Sequence, residues 1–118
     1  GTINKSATLD GLSITLNRND LSVAGNFHNT GNTDLTAEGT FNVLDAEGFV
    51  YARGTFDEVY TLPGDQGPVS AVASTVNLKP GSYDMLISLE YQTGGALVQE
   101  AGFQVEDNGA ISNIAVKG

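Results

Sequence analysis

The sequence of 118 residues contains no cysteine and no tryptophan, and it has one histidine, His28. Without cysteine there is no disulfide framework, no thiolate zinc site and no cysteine nucleophile. A Ser-His-Asp triad or a histidine metal cluster would have to be built around His28, which falls at an outward position of a predicted strand. The fold must therefore be stabilised by packing, and His28 is expected to be an ordinary surface residue.

Basic residues are scarce as well: five Lys and Arg stand against fourteen Asp and Glu, which gives a formal net charge of −9 at pH 7. This charge repels a phosphate backbone, so nucleic acid is not an expected partner. It also disfavours docking on anionic lipid. No apolar run approaches the roughly 20 residues that span a bilayer, so membrane insertion is not expected either.

The motifs of common enzyme chemistry are missing. The sequence has no G-x-S-x-G, no P-loop, no G-x-G-x-x-G and no H-E-x-x-H.

Residues 1–6 have neither the charged nor the apolar region of an export signal. We expect no catalytic residue and no cofactor, and we interpret residues 1–118 as one domain excerpted from a longer protein.

The chain is rich in glycine, with 15 residues, and apolar and polar side chains alternate along it at a period of two. This alternation is typical of strands that have one face on a core. Turn signals separate the segments at intervals of roughly 8 to 12 residues, the spacing of an all-β sandwich. The predicted strands cover residues 12–16, 21–28, 35–43, 49–56, 69–78, 83–91, 96–105 and 111–116.

Three places depart from this regular pattern. Residues 57–68 are predicted to form a loop, because Pro63 and Pro68 resist both helix formation and ladder pairing. The apolar residues of the last strand, 111–116, fit a period of two poorly. In the sixth strand Leu86 is the one apolar side chain on the outward phase.

The turn signals follow an order found in a known group of proteins. F-H-N-T-G-N at 27–32 precedes the strand around Phe41 and Val43, and L-P-G at 62–64 precedes L-K-P-G-S-Y at 78–83. Over residues 21–105 this order resembles immunoglobulin-like modules of bacterial and archaeal surface proteins and, more distantly, the periplasmic pilus chaperones. The resemblance implies an immunoglobulin-like Greek key sandwich of seven or eight antiparallel strands. It also implies an extracytoplasmic setting: cell surface, secreted or periplasmic.

Within this resemblance, Tyr83 is the candidate for a tyrosine corner, in which a tyrosine hydroxyl bonds to an upstream backbone group. Pro80 and Gly81 form the turn before it. The Cys pair and core Trp of antibody domains are absent, which excludes that branch. The basic residues with which pilus chaperones anchor a subunit have no clear match. The resemblance therefore implies a scaffold or adhesion module rather than a chaperone.

Aromatic residues raise the alternative of sugar binding. Phe49 and Tyr51 share one face of the fourth strand, and with Tyr60 nearby they could form an exposed stacking platform. The competing interpretation is that they pack beneath the loop or against a neighbouring domain. Five other aromatic residues fall on the inward phase, where burial is expected: Phe27, Phe41, Tyr83, Tyr91 and Phe103.

Acidic residues around the predicted loop provide a weak calcium candidate. Asp57, Glu58 and Asp65 could supply hard oxygen ligands. Their spacing does not match D-x-[DN]-x-[DN]-G, and acidic residues are common in turns because their side chains bond to the local backbone. A solvated loop is the expected structure here. A similar but weaker candidate comprises Asn17, Asn19 and Asp20.

Taken together, the sequence predicts a non-catalytic structural or adhesive module of an extracytoplasmic protein. Its expected partners are other proteins or neighbouring domains of the same chain, with polysaccharide as a further possibility. The alternative function is a carbohydrate-binding module with the aromatic platform as its binding face. An enzyme that uses paired carboxylates is a more remote alternative.

Overall fold

The chain folds into antiparallel strands, seen in a computed structural model that describes residues 2–74, 76–92 and 94–117. The strands are β1 (Ala7–Asn17), β2 (Asp20–Asn29), β3 (Leu35–Leu44), β4 (Val50–Thr61), β5 (Gln66–Ala73), β6 (Gly81–Tyr91), β7 (Ala96–Val105) and β8 (Ile111–Lys117). The described ranges contain no helix, and so none that is long and apolar enough to cross a bilayer. The predicted all-β class is confirmed.

The strands form two sheets that pack face to face. One sheet has the order β1-β2-β5, and the other has the order β4-β3-β6-β7-β8. The chain crosses between the sheets from β2 to β3, from β4 to β5 and from β5 to β6, which is the Greek key pattern of immunoglobulin-like sandwiches. The predicted fold is confirmed, with β4 placed beside β3 and β8 extending the larger sheet.

The core lies between the inner faces of the two sheets. The alternating residues of β6, from Tyr83 to Tyr91, are buried, and β6 occupies the centre of the five-stranded sheet. All five aromatic residues predicted to be inside are buried. Two pairs of aromatic rings make edge-on contacts in the core. The ring centroids are 6.1 Å apart in the pair Phe27 and Tyr91 and 6.0 Å apart in the pair Phe41 and Phe56.

The predicted loop at 57–68 is wrong. β4 continues to Thr61 and β5 begins at Gln66, so the turn between them is short. The reason is a β-bulge in β4: Ala37 pairs with Val59 and Gly39 with Phe56, which leaves two residues of β4 opposite Glu38. The bulge shifts the inward phase by one residue, and the alternation is lost in the sequence. The fifth strand, predicted at 69–78, ends at Ala73, and Thr75 lies outside the described residues.

A second bulge explains the poor periodicity of the last strand. Gly102 pairs with Ala115 and Gln104 with Ser112, so Phe103 lies opposite two residues of β8. One of these is Asn113, which has a φ of 53°, a conformation that asparagine tolerates better than most residues. The predicted strand therefore exists, with its spacing broken by one inserted residue.

Candidate functional site

The turn between β3 and β4 is fixed by the side chain of Asp45. Its Oδ1 accepts hydrogen bonds from the backbone N–H groups of Glu47 at 2.9 Å and Phe49 at 3.0 Å. Backbone hydrogen bonds from Asp45 to Phe49 and from Gly48 to Asp45 close the same turn. A carboxylate that accepts two N–H groups holds a turn in one conformation. Phe49 is thus held out in solvent, with 64% of its surface exposed.

Exposed apolar side chains continue from this turn onto the outer face of the five-stranded sheet. Val50 lies directly opposite Leu44 in the β3–β4 ladder and is 59% exposed. Leu86 of β6, 39% exposed, lies one pair further along the same face, opposite Asn42 of β3. We call this surface the turn patch, and it consists of Leu44, Ala46, Phe49, Val50 and Leu86. Leu44 is half-buried and the other four are exposed, and a group of exposed apolar residues is typical of interaction sites.

A shallow depression with a volume of about 330 Å³ lies at the Leu44 and Leu86 side of the turn patch. Its described lining residues are Leu44, Asp45, Ala46, Gly48, Asp84, Leu86 and Glu100. The lining combines apolar side chains with three carboxylates. This combination can bury an aliphatic group while it attracts a cation beside it.

Lys117 lies across the acidic side of this depression. Its Nζ is 2.8 Å from Oδ1 of Asp84 and 3.6 Å from Oε1 of Glu100. The hydrogen bond to Asp84 and the attraction of that carboxylate raise the pKa of Lys117 above its ordinary value. The lysine stem passes over Gly102, where an added Cβ would lie 3.6 Å from Lys117 Cε. A single ammonium is therefore shared by two carboxylates.

The structure separates the three residues of the predicted aromatic platform. Tyr51 is the extra residue of a bulge at the start of β4, and its ring packs edge-on against Tyr83 with 5.7 Å between centroids. Tyr60 lies nine residues further along the same strand, a distance of about 30 Å at the usual rise. Phe49 and Tyr51 are two residues apart in the chain. The hydroxyl of Tyr60 donates instead to Asp34, and this hydrogen bond raises the pKa of Tyr60.

Tyr83 has the hydrogen bond that defines a tyrosine corner. Its hydroxyl donates to the carbonyl oxygen of Lys79 at 2.7 Å, across the turn that contains Pro80 and Gly81. The ring is buried and stacks on Phe103 with 5.8 Å between centroids. Burial raises the pKa of the Tyr83 hydroxyl. The corner thus joins the β5–β6 connection to the core.

Two of the three acidic calcium candidates, Glu58 and Asp65, accept hydrogen bonds from the protein. Asp57 and Glu58 lie at the bulge of β4, where Glu58 accepts a hydrogen bond of 2.9 Å from the amide of Gln92. Asp65 accepts the backbone N–H of Leu62 at 3.2 Å within the β4–β5 turn. In residues 2–74, 76–92 and 94–117, no group of three or more His, Cys, Asp or Glu side chains is placed to hold a metal ion. The weaker set, Asn17, Asn19 and Asp20, occupies the turn from β1 to β2.

His28 lies on the outer face of the three-stranded sheet, opposite Thr8 of β1 and Gln66 of β5. Its Nδ1 is 3.8 Å from Oδ2 of Asp10, a contact that becomes an ion pair only when the imidazole is protonated. Its side chain is 32% exposed. This is the position of the surface histidine expected from the sequence.

Asn29 was not identified from the sequence as a structural residue. It lies at the end of the fold opposite the turn patch. Asn29 is completely buried, and its Nδ2 donates to the carbonyl oxygens of Thr33 at 2.9 Å and Thr61 at 3.4 Å. Its Oδ1 accepts the N–H of Gly31, and its backbone bonds to Gly64 and Asp65. The available signal was Asn followed two residues later by Gly, which is typical of a side-chain-capped turn.

Comparison with known proteins supports the fold alone. No protein-family model matches the chain, and no curated protein matches its sequence. Among solved structures it is similar to a β-glucuronidase of glycoside hydrolase family 2, with a TM-score of 0.62 and 14% identity over 78% of this chain. It is also similar to β-glucosidase 3B of Thermotoga neapolitana in complex with glucose, with a TM-score of 0.51 and 14% identity over 85% of this chain.

The match covers a small part of each of these proteins. The chain spans 11% of the length of the β-glucuronidase chain and 17% of that of the β-glucosidase. At this level of identity the similarity describes architecture, and one architecture serves many unrelated functions. The similarity is therefore to a region about the size of this chain within each of two much longer proteins.

Proposed function

We propose that this chain is a non-catalytic interaction module, structural or adhesive, of a longer protein, and that the turn patch is its contact surface. The observation that carries the proposal is the arrangement of Phe49, Val50 and Leu86. All three are exposed, and they lie at one end of a sheet whose other apolar side chains mostly face the core. A rigid turn that presents apolar groups to solvent has the form of a preorganised binding surface.

The size of the matching region in larger enzymes also supports a modular role. In both similar proteins the matched part is a minor fraction of a long chain. A β-domain in such a chain packs against its neighbours through patches of moderate size. The proposed partner is accordingly a neighbouring domain of the same protein or a second protein.

Photo-crosslinking in the full-length parent protein tests this proposal. Benzoylphenylalanine in place of Phe49 should crosslink to a defined segment outside this module. The matched control position is Val72, which is 55% exposed on the outer face of the three-stranded sheet. A crosslinked product from position 49 and none from position 72 supports the turn patch as the contact surface. Equal crosslinking from both positions, or none from position 49, contradicts it.

An extracytoplasmic location is part of the same proposal. Its support is the order of turn signals, which resembles that of surface-protein modules. Treatment of intact source cells with an external protease should degrade the parent protein while a cytoplasmic marker survives. Survival of both would contradict the proposed location.

Carbohydrate binding is a second candidate function, favoured by the exposure of Phe49 and Tyr51, which lie two residues apart in the chain. Aromatic faces of this kind stack on sugar rings, although the ring of Tyr51 is partly engaged with Tyr83. A glycan array probed with the wild-type chain and with the double variant Phe49→Ala, Tyr51→Ala tests it. Binding that the double variant loses would favour this function. If the wild-type chain binds no glycan on the array, the carbohydrate-binding function is contradicted.

A further inference from the structure

The turn patch lies in an acidic environment that restricts the chemistry of its partner. Three of the seven described residues around its depression carry carboxylates. One of them, Asp45, is occupied by two backbone N–H groups. Asp84 and Glu100 lie on the side of Leu86, where their side chains are 40% and 47% exposed. Any partner that covers Leu86 must therefore approach these two carboxylates.

Lys117 shows that this acidic side holds an ammonium group. Its Nζ bonds to Asp84 and lies within ion-pair distance of Glu100. One positive charge against two negative charges leaves the cluster with a net charge of −1. The whole chain carries −9, so the surrounding field adds to the attraction for a cation. A partner with acidic residues at this point would be repelled.

We infer that the turn patch binds a cationic polypeptide segment, in which an aliphatic side chain is flanked by Lys or Arg. This inference rests on the proposed function of the turn patch as a contact surface. The aliphatic group enters the depression between Leu44 and Leu86, whose volume equals about ten water molecules. The flanking cation joins Lys117 at Asp84 and Glu100, or displaces it.

A second depression on the same outer face provides an internal comparison. It has a volume of about 350 Å³, and its described lining includes Glu38, Arg53, Ser88 and Glu90. Glu38 and Glu90 lie directly opposite each other, so this surface is also acidic. Its lining is mainly polar, and the one large apolar side chain among the described lining residues, Phe56, is buried. Charge alone would direct a cationic segment to both depressions, whereas charge combined with apolar contact directs it to the turn patch.

The test is an NMR titration of the ¹⁵N-labelled chain with three short synthetic peptides of one length. Their central residues are Lys-Leu-Lys, Gln-Leu-Gln and Glu-Leu-Glu. We expect the Lys-Leu-Lys peptide to bind most tightly and to shift the amide signals of residues 44–50, 84–86 and 100. Its affinity should fall in about 1 M salt, where charges are screened within about 3 Å.

Two pairs of variants locate the binding. Leu86→Ser removes an apolar wall and should weaken binding of the Lys-Leu-Lys peptide about tenfold. Its control is Val72→Ser, an exposed apolar residue on the other sheet, which should leave binding unchanged. Glu100→Gln should weaken binding about two- to fivefold, as expected for an exposed ion pair. Its control, Glu90→Gln, removes a carboxylate from the second depression and should have no effect. Denaturation midpoints check that all four variants fold.

The outcomes separate the partner chemistry from the proposed contact surface. Equal binding of the Gln-Leu-Gln and Lys-Leu-Lys peptides at the turn patch overturns the cationic partner and leaves the contact surface standing. Shifts centred on residues 38 and 90, or equal losses in the control variants, overturn the inference as well. If no peptide shifts residues 44–50, the inference fails, and the crosslinks from position 49 then decide whether the turn patch is a contact surface at all.

Discussion

A single hydroxyl joins the β5–β6 connection to the core. Tyr83 donates to the carbonyl oxygen of Lys79 at 2.7 Å from a buried ring, so loss of the hydroxyl leaves that carbonyl without this donor. Tyr83→Phe should lower the free energy of unfolding by about 0.5–1.5 kcal/mol. The measurement is a urea denaturation midpoint, with Tyr51→Phe as the exposed control that should stay near the wild-type value. A wild-type midpoint for Tyr83→Phe would contradict the structural role of this hydrogen bond.

At the same scale, the sequence predicted only part of the candidate site. Phe49 and Tyr51 were recognised because they fall on the outward phase of the predicted fourth strand, where aromatic side chains are rare. Leu86 was visible as the one apolar residue that interrupts the polar phase of its strand. Its association with Leu44 was not predictable, because it depends on register across β3, β4 and β6. The Lys117 contact also depends on register, through the pairing of β8 with β7.

At the scale of elements, the prediction failed at the bulge of β4, and it also carried the fifth strand to residue 78 although the regular ladder of β5 ends at Ala73. In β6, buried residues alternate from Tyr83 to Tyr91 with Leu86 as the one apolar residue on the outward phase, and the strand was located to within two residues. β4 was cut short at Phe56, because the inserted residue at 57–58 reverses which side chains face the core. In the sequence, a bulge of this kind looks like the end of a strand, because the alternation of apolar and polar residues stops in both cases. Pro63 and Pro68 strengthened the error, although Pro68 lies in β5, an edge strand that tolerates proline.

The bulge in β8 provides a prediction for that strand. Asn113 has a φ of 53°, which a β-branched side chain adopts only with strain. Asn113→Val should destabilise the local structure by about 1–2 kcal/mol, the usual cost of this conformation. Hydrogen exchange should accelerate at β8 amides more than at β6 amides. Asn113→Gly is the control: it keeps the conformation and loses the hydrogen bond from Asn113 to Gln104. Faster exchange of both variants to the same degree would assign the effect to that hydrogen bond instead.

At the scale of the whole molecule, the two outer faces differ in character. The face of the three-stranded sheet has short polar side chains along β2, among them Ser22, Asn26 and His28. The face of the five-stranded sheet has four carboxylates on its three central strands, from Glu38, Asp84, Glu90 and Glu100. Arg53 and Lys117 lie on the same face and offset part of this charge, which leaves the face acidic in a chain of net charge −9. A cationic partner would be steered to the larger sheet, where the turn patch lies.

Alkaline pH should reduce the stability of the whole fold. Burial raises the pKa of Tyr83 and Tyr91, and the hydrogen bond to Asp34 raises that of Tyr60. The hydrogen bond to Asp84 raises the pKa of Lys117 in the same direction. Above about pH 10, where free tyrosine ionises, the unfolded chain loses protons that the native chain still holds. Because the native state then binds more protons, the free energy of unfolding falls as pH rises through this range.

Urea midpoints at neutral pH and near pH 11 measure this loss, which should be fully developed only above the raised pKa values. General repulsion in a chain that already carries −9 would act in the same direction. Salt at about 1 M separates the two causes, because it screens repulsion between exposed charges and leaves the cost of ionising a buried tyrosine. Tyr83→Phe removes one buried hydroxyl, so the difference between its neutral and alkaline midpoints should be smaller than in the wild-type chain. If salt abolishes the alkaline loss and Tyr83→Phe leaves it unchanged, repulsion rather than tyrosine burial limits stability at high pH.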